Sequence, residues 1–165
     1  MTNKQLTTII DNQIEKLPFG KAIDFAVDIC KRLLPDYVIF HQNNEWGNPE
    51  LITEAITFCE NNRISFKIDE NELTSHIDKL ESVTPDTEDF GDWDGSYALN
   101  AACATLELLE YLRDRNTAHI KNISSLITDT IDFKINEETE EISDEQLKEH
   151  PKIIKELAYQ IELIK

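Results

Sequence analysis

The side chains able to do chemistry are few and scattered. The four histidines, His41, His76, His119 and His150, have no histidine partner three or four residues away. A helical zinc site needs such spacing to bring two imidazoles onto one metal, so no metal site is expected. Cys30, Cys59 and Cys103 form no C-x-x-C pair. Each falls among apolar residues at helical spacing, which reads as small buried hydrophobes and not as reactive thiols. The four glycines compose neither G-x-G-x-x-G nor a phosphate-binding loop, so no cofactor is expected. The run from Asp86 to Gly95 is carboxylate-rich enough to suggest a calcium loop, but its register fails. Placing Gly91 sixth puts Phe90 at the fifth ligand position; placing Gly95 sixth puts Phe90 first and Ala101 twelfth.

Charge is the stronger signal. The chain has 165 residues, with 33 acidic and 16 basic side chains and a formal net charge of -17. Such a field repels nucleic-acid phosphates and anionic lipid headgroups and attracts basic protein, so direct nucleic-acid binding and membrane attachment are not expected. Between Leu80 and Leu112 there is no Lys or Arg. Asp86, Glu88, Asp89, Asp92 and Asp94 stand there with Phe90, Trp93 and Tyr97 among them. A second cluster holds Glu137, Glu138, Glu140, Glu141, Asp144, Glu145 and Glu149. Acids at helix entries complement the helix dipole and solubilise, which accounts for some of them. The remainder, with Trp93 and Tyr97, is expected to form a docking face for a basic partner. Trp93 could equally be a core residue that pins the loop.

The elements positioning these residues read as helices almost throughout. Leu6, Ile9, Ile10, Ile14 and Leu17 mark the first amphipathic segment, which Pro18 and Gly20 punctuate. Ile23, Ala26, Val27, Cys30, Leu33 and Leu34 mark a second, which Pro35 is expected to stop or kink before a further turn over Tyr37–Phe40. Asn43 to Asn48 reads as a loop. Asn48-Pro49 opens a third helix through Leu51, Ile52, Ala55, Ile56 and Cys59, and Asp69 with Glu72 opens a fourth through Leu73, Ile77 and Leu80. After a turn-rich stretch, the most hydrophobic helix is expected from about Ser96 to Arg115, and another from Thr117 to about Phe133. Ser143 with Gln146 forms a capping box. Pro151 seats a last helix whose expected inner face is Ile154, Leu157, Ala158, Ile161 and Ile164. The expectation is all-α: a single-domain helical bundle of about six to eight helices over residues 1–165. Hydrophobic residues at 40 % and charged residues at 30 % fit a globular chain. Sparse cysteines and the lack of a long apolar run point to the cytoplasm.

Four stretches resemble a known family. They are Cys30–Phe40 (CKRLLPDYVIF), Thr84–Phe90, Tyr97–Leu106 and Ser143–Pro151. In order and spacing they are similar to the YjaG-like family of bacterial proteins, domain-of-unknown-function family 416. The resemblance implies an all-α fold and no assigned reaction, and some relatives are suspected immunity proteins. Ala101 stands where relatives tend to have Asp, and His150 where Asn usually precedes the proline. A binding role tolerates such departures better than catalysis does. The expected function is non-catalytic binding of a basic protein, in its specific form an immunity protein that neutralises a cationic toxin. The alternatives are an uncharacterised housekeeping protein, a cryptic carboxylate-based enzyme, or a nucleic-acid mimic.

Overall fold

The structure is a computed structural model that describes residues 1–139 and 141–165. Among the described residues there are eight helices and no strand. They are α1 (Asn3–Ile14), α2 (Phe19–Asn44), α3 (Pro49–Asn61), α4 (Glu70–Ser82), α5 (Trp93–Asp114), α6 (Thr117–Glu138), α7 (Asp144–Lys148) and α8 (Pro151–Ile164). The all-α expectation holds, and eight lies within the expected number.

The caps explain most boundaries. Thr2 and Ser143 each form a reciprocal capping box, with Gln5 and Gln146. Asn48 accepts the Glu50 N–H ahead of Pro49, and Asp69 accepts from Asn71 and Glu72 without a reciprocal bond. His150 caps α8 by accepting the Lys152 N–H through Nδ1 at 3.2 Å. It therefore performs the task an Asn would perform at that position.

Helix α5 runs across the centre, packed on α2 and α6. Ala98, Ala101, Ala102 and Ala104 are each at most 1 % exposed, and their small side chains let the neighbouring helices approach closely. Leu108, Leu109, Ile23 and Leu33 complete that layer. Truncating any one of these leucines to Ala would cost about 2–5 kcal/mol. Cys30 and Cys59 are buried in the same core; burial pushes the Cys30 thiol up to about 12, which makes it inert at neutral pH.

Three expectations need correction. Pro35 neither stops nor visibly divides α2, which is continuous from Phe19 to Asn44. The proline deprives only the Lys31 carbonyl of its helical donor, and Lys31 is exposed, where solvent can serve. On both sides the helix is locked into the core by Leu33, Tyr37 and Phe40. Secondly, α5 starts three residues early, at Trp93, and α6 runs on to Glu138. Thirdly, the inner face of α8 is wider than expected. Leu157 and Ile164 are buried and Ile154 and Ile161 pack half-buried on the core as anticipated, but polar residues join them. Ile153, Glu156, Leu157, Gln160 and Ile164 are buried, while Ala158 is exposed. The cause is a polar network: Arg32 grips Glu156 with two bonds of 2.7 and 2.9 Å, and Gln160 bonds Glu156 at 3.0 Å and Ser124 at 2.5 Å. A buried carboxylate left without these partners would be strongly unfavourable, so their geometry sets the inward face. Among the described residues, no helix is long and apolar enough to cross a membrane.

Candidate partner-binding surface

The acid-rich segment between α4 and α5 is built on a turn and an aromatic anchor. The Phe90 and Asp89 amides both return to the Asp86 carbonyl, and the Asp86 carboxylate accepts the Glu88 N–H at 2.9 Å. Phe90 then packs edge-on to Phe40 and against Trp46, with ring centroids 5.0 Å apart in both cases. Asp92 caps α5 by accepting the Gly95 N–H at 2.9 Å. Gly95 is required here: a Cβ at that position would lie 2.2 Å from the Phe90 carbonyl oxygen. A fixed turn thus delivers Trp93 to the first position of the helix.

Trp93 remains 40 % exposed, resting on Tyr97 (6.4 Å, nearly parallel) and Phe133 (6.0 Å). Tyr97 does not take the expected surface role. It is 5 % exposed, because its helical position points into the α5–α6 seam. Its hydroxyl donates to Glu137 at 2.5 Å, and Lys134, held by both Asp36 oxygens at 2.9 Å, lies over its ring. Burial, then the bond to Glu137, raises the Tyr97 pKa well above its ordinary value.

The carboxylates divide into engaged and free. Asp86 and Asp92 serve backbone amides, Asp94 accepts from Asn43 at 3.1 Å, Glu137 serves Tyr97, and Glu138 pairs with Lys152 at 3.4 Å. Glu88, Asp89 and Glu141 are exposed and have no side-chain hydrogen bond or ion pair among the described residues. Glu140 lies outside the described residues. Tyr97 and Glu137 join the two sequence clusters; Glu138 instead turns to the start of α8.

Sequence reasoning missed Phe133, which props Trp93, and the pair Asp129 and Asp132 on α6. Partial burial and then the charge of Asp129 push Asp132 up to about 6, with no ion pair to it among the described residues. Their i, i+3 spacing on a helix was the available signal. His119 was also passed over. Its Nδ1 lies 2.6 Å from Glu107 and its Nε2 2.9 Å from Asp114. Burial alone would lower its pKa, but the two carboxylates outweigh that and raise it. With both ring nitrogens occupied, the imidazole serves as a staple between α5 and α6, with no lone pair free for a metal or a nucleophile.

A family model described as "Protein of unknown function (DUF416)" matches residues 9–165. The chain is 26 % identical over 156 residues to the "Uncharacterized protein YjaG" of Escherichia coli (strain K12), covering 93 % of this chain and 79 % of that one. An uncharacterized protein of Haemophilus influenzae is 26 % identical over 153 residues, covering 92 % and 78 %. The crystal structure of a DUF416 family protein from Shewanella baltica OS155 superposes with a TM-score of 0.82 at 26 % identity, covering 93 % of this chain and 81 % of that one.

Proposed function

We propose that this chain, which belongs to the DUF416 family, acts by binding a basic protein through the surface centred on Trp93, without catalysing a reaction. One observation carries the reading: an indole 40 % exposed, backed by two rings, at the start of a helix in a stretch free of Lys and Arg. A pre-ordered aromatic loses little conformational freedom on binding and supplies the anchor. Glu88 and Asp89 steer a cationic surface toward it, while Asp86, Asp92 and Asp94 hold the loop's shape. The burial of Tyr97 narrows the surface to Trp93 and its acidic rim.

The specific form put to test is an immunity protein that occludes a cationic toxin. Capture of the product of a neighbouring gene, followed by growth rescue, addresses it. The expected result is tight association whose on-rate falls as salt rises. Trp93→Ala should weaken it by about 2 kcal/mol or more, roughly thirtyfold. Capture that ignores Trp93→Ala, or no basic partner and no rescue, would discard the reading.

A further inference from the structure

The most exposed large hydrophobic side chains among the described residues are not in the acidic region. Phe66 is 102 % exposed and Ile64 78 %, both on the connection between α3 and α4. The connection has turn hydrogen bonds, from Arg63 to the Glu60 carbonyl and from Ser65 to the Asn62 carbonyl. Lys67, Arg113 and Arg115 lie beside it, together with Glu70. Lys67 has no ion pair among the described residues, and Arg115 lies over the Phe19 ring without a carboxylate partner among them. A phenyl group held out beside cations that have no carboxylate partner among the described residues calls for a groove with apolar walls and an acidic rim.

The same face of the molecule holds such a pocket. An open groove of roughly 390 Å³ lies between the end of α4 and α5, lined by the apolar Pro85, Leu99 and Leu106, by Thr84 and Thr87, and by the carboxylates of Glu81 and Asp86. Leu99, Leu106 and Arg113 recur every seven residues and share one side of α5. Arg113 is tied to Glu70 at 2.9 Å, which sets the start of α4 beside the end of α5. The loop and the groove therefore sit at opposite ends of one α4–α5 face, separated by roughly the 20 Å length of α4.

We propose that the chain forms a twofold homodimer across this face, with Phe66 of each copy seated in the Leu99–Leu106 groove of the other. Lys67 and Arg115 then face Glu81 and Asp86. The arrangement is isologous: two complementary patches on one face, exchanged by a twofold axis, close the assembly at two copies. Repulsion between two acidic bodies is screened beyond about 8 Å at physiological salt, so the local pairing decides. This inference does not rest on the Trp93 reading, and it is tested on the purified chain alone.

Sedimentation across a wide range of concentration should show a monomer–dimer equilibrium. Phe66→Asp should raise the dissociation constant at least roughly tenfold, with the helical circular dichroism unchanged because the ring touches little of its own chain. Glu81→Lys and Lys67→Glu should each weaken the dimer, and the double exchange should restore it. A monomer at every concentration, an open polymer, a dimer indifferent to Phe66→Asp, or a double exchange that fails to recover overturns the proposal.

Discussion

The two ends of α5 display aromatic groups in opposite electrostatic settings and by opposite means. At its N-terminal end Trp93 is half-covered, propped by Tyr97 and Phe133, and locked by a turn with no spare volume at Gly95. At its C-terminal end Phe66 stands clear beside Arg113, Lys67 and Arg115, supported by little but a turn. Asp92 and Asp94 at one end and Arg113 and Arg115 at the other agree with the helix dipole, whereas Asp114, the last residue of α5, opposes it and is held by His119. The acidic end is a shaped surface, and the basic end is a projecting one.

The largest expected effect separates them by stability. Gly95→Ala should destabilise by about 2–4 kcal/mol, because the Phe90 backbone or the first turn of α5 has to move. Phe66→Ala should stay within about 0.5 kcal/mol of the parent. Urea unfolding of both decides, and equal losses would erase the distinction between shaped and projecting ends.

A smaller effect concerns charge at the acidic side. Asp132 has a folded pKa of about 6, above the ordinary carboxylate value, so its ionised form works against folding. The penalty is complete above pH 6 and fades as pH falls through 6 toward 4. Allowing for its partial exposure, Asp132→Asn should stabilise by roughly 1 kcal/mol at pH 7 and by nothing near pH 4. Thermal melts at the two pH values test it.

The His119 staple near the other end has the reverse sign. Its folded pKa is raised, so its contribution is fully present below about pH 6.5 and is lost as pH rises through the folded value. His119→Gln should cost about 0.5–1 kcal/mol at pH 5.5 and less at pH 8.5; a loss that does not vary with pH would mean packing alone. The smallest effect lies outside both ends: His150→Asn should gain a few tenths of a kcal/mol, since Asn is among the best helix caps.

What the residues foretold follows the physics of each element. Periodicity and caps located α1, α3 and α4 closely, because Leu6, Ile52 or Leu73 answers only to burial and Asn48 or Asp69 only to local amides. The buried polar side of α8 escaped, because Glu156 and Gln160 look like surface residues until Arg32 and Ser124 arrive from helices far along the chain. The candidate surface was half legible. Composition marked its acids and Trp93, whereas the burial of Tyr97 and the support from Phe133 depend on how α6 crosses α5. Phe66 was invisible for the converse reason: an apolar side chain is assumed buried unless tertiary structure leaves it out.

Helix α1 packs on α8, and Asn3 bonds both Glu149 and the Lys148 carbonyl, 145 or 146 residues away. At synthesis rates of about 5–20 residues per second, the earlier helix spends roughly 7–30 s without its mate. Throughout that interval Leu6 and Ile10 have no finished cover on that side. A nascent chain arrested just before Pro151 should accordingly be cut by protease within α1, and release of α8 from the ribosome should abolish the cleavage.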